Sequence, residues 1–202
     1  MDALSAFVTL FVIVDPVGLA PLFVAMTQGS DDAHRRAVGL RACAIAVAIL
    51  TLFGLLGEAV LGFVGISMPA FRIAGGVLLF LTALEMLFER RTTRREERAE
   101  AHPPDPSVFP LAIPLIAGPG AIATMILLAG EAAGDPLDLL LLHLVMLAVV
   151  ASVFALFLAA PLIERALGRT GIVVVTRLLG MLLAALSVQF VLDGLAGALG
   201  TM

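Results

Sequence analysis

Apolar residues fall along the chain in six blocks, each close to the roughly 20 residues that an α-helix needs to cross about 30 Å of hydrocarbon. The blocks are Ala3–Thr27, Leu40–Val64, Pro69–Phe88, Phe109–Ala133, Leu137–Ile163 and Ile172–Ala198, and the polar stretches between them read as helix stops and starts. Gly29 closes the first helix, and Ser30-Asp31-Asp32 gives the next one a cap and an acidic first turn. Gly134-Asp135-Pro136 supplies a stop, a cap and a first-position proline in succession. The third block runs on into a charged segment, Glu89 to Glu100, whose helix cannot pass His102-Pro103-Pro104-Asp105-Pro106. The pattern predicts an all-α integral membrane protein with six transmembrane helices.

Composition excludes the soluble alternative. Of 202 residues, 61% are hydrophobic and 14% charged, against about 45–50% and about 25% in an ordinary soluble domain. With a mean hydropathy of +1.11, the lipid bilayer is the expected surrounding of a single transmembrane domain over residues 1–202. The net charge of −4 gives no reason to expect nucleic acid as a partner. Placement of charge says more than its total. Arg35, Arg36, Arg41, Arg90, Arg91, Arg94, Arg95, Arg98, Arg165 and Arg169 all follow the first, third or fifth block, while Arg72 and Arg177 stand near the starts of the third and sixth. The positive-inside rule puts the arginine-rich side in the cytoplasm and both termini outside it. The Arg/Glu alternation from Glu89 to Glu100 reads as a solvated helix end, with lipid-headgroup binding as the sharper alternative. Met1 to His34 holds no Lys or Arg, and Asp15-Pro16 interrupts its apolar run, so no cleavable leader is expected.

Two matches suggest a duplication. Phe71-Arg72-Ile73-Ala74-Gly75-Gly76 aligns with Thr176-Arg177-Leu178-Leu179-Gly180-Met181 at an offset of 105, and Asp15-Pro16-Val17-Gly18 aligns with Gly118-Pro119-Gly120-Ala121 at 103. Each half would hold three helices, an odd number, so the second half enters the membrane from the opposite side. The halves are residues 1–100, with the charged cytoplasmic extension, and residues 101–202.

Chemistry concentrates where prolines and glycines break the first and fourth helices. Ile13-Val14-Asp15-Pro16-Val17-Gly18-Leu19-Ala20-Pro21 and Pro110-Leu111-Ala112-Ile113-Pro114-Leu115-Ile116-Ala117-Gly118-Pro119-Gly120-Ala121 should interrupt them near mid-membrane, which is tolerable only where freed backbone groups line a polar cavity or face protein. Half-helix ends offer amide donors suited to a carboxylate and carbonyls suited to an ammonium group or cation, a pair that fits a small zwitterion. Asp15, Pro16, Val17, Gly18, Gly118, Pro119, Gly120 and Ala121 are therefore the candidate binding residues. Three roles compete for Asp15: capping the half-helix that follows it, which is compatible with either of the others, binding a substrate ammonium, or carrying a coupling proton or cation. Thr82, Thr124, Ser187 and Gln189 are secondary cavity candidates, with hydrogen bonding between helices as the commoner use of such residues. His143 falls near the start of the fifth block and reads as interfacial; His34 and His102 lie in polar stretches. These histidines and the single Cys43 give no metal-ligand spacing and no nucleophile pairing, so neither a cofactor nor an enzyme is expected.

The segments Val14-Asp15-Pro16-Val17-Gly18-Leu19-Ala20-Pro21-Leu22-Phe23, Phe71-Arg72-Ile73-Ala74-Gly75-Gly76 with Leu84-Glu85-Met86-Leu87, and Pro110-Leu111-Ala112-Ile113-Pro114-Leu115-Ile116-Ala117-Gly118-Pro119-Gly120-Ala121-Ile122 closely resemble the MarC family of bacterial and archaeal inner-membrane proteins. The resemblance covers essentially the whole chain. It implies six spans, a bacterial or archaeal cell membrane, and transport of small neutral amino acids such as glycine and alanine. The expectation is a secondary transporter using a proton or cation gradient, compatible with a homo-oligomer. A membrane scaffold or stress-related sensor, and a transporter or channel for another small solute, are the alternatives.

Overall fold

Most of the helices begin where a short polar side chain can hold their first amides. In the computed structural model, which describes residues 2–88, 105–132 and 134–199, Asp2 accepts hydrogen bonds from the Leu4 and Ser5 amides at the start of α1 (Ala3–Val14). Helix α2 (Pro16–Met26) follows after a single residue. Asp31 caps α3 (Asp32–Val64) through the His34 amide, and Ser67 caps α4 (Met68–Leu87) through the Ala70 amide. An irregular, proline-containing segment, α5 (Ser107–Ile116), whose backbone leaves helical geometry at Phe109, Ile113 and Pro114, leads through Ala117 and Gly118 into α6 (Pro119–Glu131). Asp135 then receives the Leu137 amide at 2.8 Å as α7 (Pro136–Leu199) begins. The charged run from Glu89 to Glu100, with its arginines, lies outside the described residues, as do His102 and Ala133.

Among the described residues, five helical segments are long and apolar enough to cross a membrane, and the bent pair α5–α6 makes up to six. Large apolar side chains cover the outside, among them Phe63 at 93% exposure with Leu52, Leu140, Leu178 and Leu192. In water such a surface would drive association, whereas in lipid it costs nothing. Two stretches expected as loops are helical. Helix α3 begins at Asp32, where Ser30-Asp31-Asp32 announces it and ahead of the apolar block at Leu40, and its 33 residues extend about 50 Å at 1.5 Å each. Its first turns therefore project beyond the hydrocarbon, carrying Arg35 and Arg36 on a helix instead of a loop. The fifth and sixth blocks are likewise joined without a loop: α7 breaks only at Gly168, whose φ of 61° and ψ of 176° suit a residue without a Cβ. Its two arms are Pro136–Leu162 and Thr170–Leu199.

The interrupted helices occupy the centre. In its most apolar stretch Ala3–Met26 is 61% buried, against 22–33% for α3, α4 and the arms of α7. From Ala123 to Ala129 every residue of α6 is buried. Around this centre the other helices pair in antiparallel fashion. On α3, Gly39 lies against Phe154 and Gly54 against His143, both on the first arm of α7. Phe23 on α2 stacks on Phe157 with ring centroids 4.2 Å apart and 2° between planes. The second arm runs along α4, where Gly76 meets the Ser187 carbonyl and Gly180 meets the Ala83 carbonyl. These two contacts are interchanged by one displacement of 104 residues along the chain.

Candidate functional site

Asp15 is the joint of the first interrupted helix. Its backbone has φ 56° and ψ 63°, and it is the one described non-glycine residue with a positive φ, a conformation that costs about 1–2 kcal/mol for a residue with a Cβ. Several contacts hold it there. Its amide donates to the Phe11 carbonyl at 2.9 Å, closing α1, and its Oδ1 accepts the Gly18 amide at 3.1 Å, opening α2. Pro16 takes the first helical position, where its missing N–H is no loss. Gly18 is required because any Cβ there would overlap the Asp15 carboxylate. The order Asp-Pro-Val-Gly is thus a capping sequence folded onto itself. Asp15 is fully enclosed and Pro16 is buried, while Val17 and Gly18 are partly exposed.

The second joint has different chemistry. Helices α5 and α6 meet at 55°. Gly118, extended at φ −82° and ψ 170°, precedes α6 without offering a side chain to its first amides. The start of α6 is therefore a set of backbone donors at the positive end of a helix dipole. Gly118, Gly120 and Ala121 are buried, and Pro119 is exposed.

The two joints adjoin. Gly120 stands between α1 and α4, where a Cβ would lie 3.3 Å from Ile13 Cγ2 and 3.2 Å from Leu79 Cδ2. Ile13 is two residues before Asp15, so the end of α1 and the start of α6 share one region at the centre of the bundle. One turn beyond Gly120 on α6, Thr124 is completely buried and its hydroxyl has no hydrogen-bond partner among the described residues. A helical side chain leans toward the preceding turn, which here is the bare backbone of Gly120.

The other secondary candidates are not gathered here. Thr82 donates to the Leu78 carbonyl at 3.0 Å and Ser187 to the Ala184 carbonyl at 2.6 Å, each within its own helix. Gln189 is exposed and reaches Asp193 one turn along at 2.7 Å. Ser187 also borders an apolar groove of about 250 Å³ between α4 and the second arm of α7, lined by Val77, Phe80, Leu81 and Leu192. That groove opens among lipid-facing side chains and is separate from the helix joints.

Two ion pairs mark the ends of the bundle. Arg72 at the start of α4 donates to Glu131 at the end of α6 at 3.0 Å. Arg41 near the start of α3 pairs with Asp105 just before α5. Ser107, whose amide donates to Asp105 Oδ1 at 3.0 Å, and then the Arg41 guanidinium hold the Asp105 carboxyl below its ordinary value of 3.8. Sequence reasoning passed over both pairs. It also passed over Glu58, an exposed carboxylate within the second apolar block.

Residues 2–199 match the family described as MarC family integral membrane protein. A UPF0056 membrane protein of Archaeoglobus fulgidus is 40% identical over 98% of this chain and 94% of its own length. The UPF0056 membrane protein YhcE of Escherichia coli is 37% identical over 95% of this chain and 90% of its own length. The UPF0056 inner membrane protein YhgN of the same organism is 32% identical, covering 96% of each chain. No solved structure matches the chain.

Proposed function

Because the chain belongs to the MarC family of integral membrane proteins, we propose that it is a secondary transporter of small neutral amino acids of the glycine and alanine class. The observation that carries this reading is the meeting of two helix joints of opposite chemistry through Gly120 and Ile13. The amides at the start of α6, which no side chain caps, suit the carboxylate of a zwitterion, and the carbonyl end of α1 with the Asp15 carboxylate suits its ammonium group. Gly118, Gly120 and Ala121 let backbone approach closely and leave little room, which favours a small side chain.

The reciprocal contacts of Gly76 and Gly180 support two inverted three-helix halves with α1–α2 and α5–α6 as their broken members. Rocking one half against the other would open the central region to each side in turn, powered by a proton or cation gradient. In this reading the arginine-rich end faces the cytoplasm of a bacterial or archaeal cell and both termini face outward.

The test is counterflow of labelled glycine and alanine into proteoliposomes of the purified protein, competed by a panel of amino acids. Saturable exchange restricted to small neutral amino acids is the expected result. Absence of exchange by monodisperse protein across the panel would remove the reading. Asp15→Asn keeps an acceptor for the Gly18 amide but loses the charge, and is expected to lower exchange at least about tenfold, equivalent to about 1.4 kcal/mol of binding.

A further inference from the structure

His143 sits seven residues into the first arm of α7, facing the middle of α3, and the site described above makes no use of it. Its Nδ1 lies 2.8 Å from the Leu139 carbonyl, one turn back on the same helix. A carbonyl only accepts, so Nδ1 carries the ring proton, and Nε2 of the neutral imidazole is left as a lone pair. Nε2 is shielded from solvent and has no hydrogen-bond partner among the described residues. Opposite it stands Gly54, where a Cβ would lie 3.4 Å from Nε2 and 2.9 Å from the Met125 methyl of α6. The glycine leaves room for the ring and offers it no polar side chain.

Among the described residues, no charged group on the surrounding helices bonds to Nε2. On α3, Glu58 is one turn beyond Gly54 and exposed. On α7, Asp138 is five positions before His143. On α6, Glu131 lies nearly two turns past Met125 and is bonded to Arg72. A second N–H on Nε2 would therefore face no acceptor among the described residues. Helices α3 and α7 run antiparallel at this contact, so sliding α3 by one turn would bring Glu58 abreast of the ring, a displacement of a kind known in switching proteins.

We propose that His143 is the proton-binding residue of this protein, and that proton uptake at its Nε2 favours an arrangement of α3 and α7 in which Glu58 accepts the new N–H. This rests on the transporter reading and names its coupling ion and the residue that carries it, separate from Asp15. An imposed difference of about one pH unit then supports about tenfold accumulation of substrate for each proton moved with it.

The experiment compares wild type with His143→Gln in proteoliposomes, following labelled alanine with and without an imposed pH difference. Wild type is expected to accumulate alanine only when the difference is present, and to stop when a protonophore is added. In His143→Gln the accumulation is expected to disappear, and any remaining counterflow to lose its dependence on pH. Wild-type levels of driven accumulation in the variant, or wild-type accumulation indifferent to pH, would overturn the proposal. Were wild type to exchange no amino acid at all, the transporter reading would fall by itself. The proton site is then read directly from the ring signal of His143 in the NMR spectrum of the detergent-solubilised protein, assigned by its loss in His143→Gln. Movement of that signal between about pH 5 and 8 sustains proton binding, and a stationary signal across that range refutes it.

Discussion

Gly120 at the start of α6 lies directly against Ile13 at the end of α1, so that two interrupted helices far apart in sequence meet at their interruptions. A Cβ here falls within 3.3 Å of Ile13 and 3.2 Å of Leu79, close enough that neighbours must move and far enough that they can. Gly120→Ala is expected to fold with a modest loss of exchange, and Gly120→Leu to remain in the membrane without exchanging alanine. Gly62, which has open space around it on α3, is the control: Gly62→Ala should stabilise by about 0.5–1 kcal/mol and leave exchange untouched. Full exchange in Gly120→Leu would move the substrate elsewhere.

The paired contacts of Gly76 with the Ser187 carbonyl and Gly180 with the Ala83 carbonyl predict matched responses. Backbone cannot yield as a flexible side chain does, so overpacking at either position should cost about 1–3 kcal/mol. Thermal unfolding in detergent is expected to give similar decreases for Gly76→Val and Gly180→Val. A large decrease in one and none in the other would mean that the two helices are not related by a common symmetry.

Most of the helical architecture was legible in the sequence, because length of apolar run and end chemistry are local properties. Asp31 and Asp135 cap the helices that the polar stretches around them announced. Gly168 misled in the opposite direction: Arg165 to Arg169 read as a loop, yet one residue with positive φ suffices to join two arms that otherwise stay helical. The candidate site was legible in part. Proline and glycine marked both joints, but no local pattern says that Gly120 touches Ile13 or that Gly54 faces His143, since those contacts arise from packing between helices. Thr82 and Ser187 carry the same hydroxyl as Thr124, and Gln189 an amide, and only the structure separates the three with local partners from the one without.

At the end of the bundle that carries Arg41, the acid response follows from Asp105. The hydrogen bond from Ser107, and then the charge of Arg41, lower its pKa from 3.8 on folding. A carboxyl shifted in this direction contributes stability that is complete above its unfolded value and is lost as pH falls through the lower folded one. The wild type is therefore expected to lose more thermal stability than Asp105→Asn between about pH 6 and about pH 3, by a small margin because the pair is exposed and screened by salt. An equal loss in both proteins would mean that the pair contributes nothing in solution.

Orientation is tested by a reporter joined after Met202. With the arginine-rich end in the cytoplasm, an even number of spans places this end outside, so alkaline phosphatase should be active there and a cytoplasm-dependent fluorescent protein dark. The opposite pattern would invert the whole bundle, Arg41 and Asp105 included.

Thr124 separates a packing role from a ligand role more cleanly than any residue at the joints themselves. Its buried hydroxyl has no partner among the described residues, a state that costs about 1–3 kcal/mol when nothing compensates it. Thr124→Val keeps the shape and removes the polar atom, so the variant should be at least as stable as wild type. If that hydroxyl serves the substrate, the half-saturation concentration for alanine should rise about tenfold, the equivalent of one hydrogen bond of about 1.4 kcal/mol, and Thr124→Ser should restore most of the difference. Gain of stability together with loss of affinity is the signature of a group kept for binding at the expense of the fold. Unchanged affinity in a stabilised Thr124→Val protein would take the substrate off this face of α6, and would leave the amides at the start of that helix as the part of the site still to be tested.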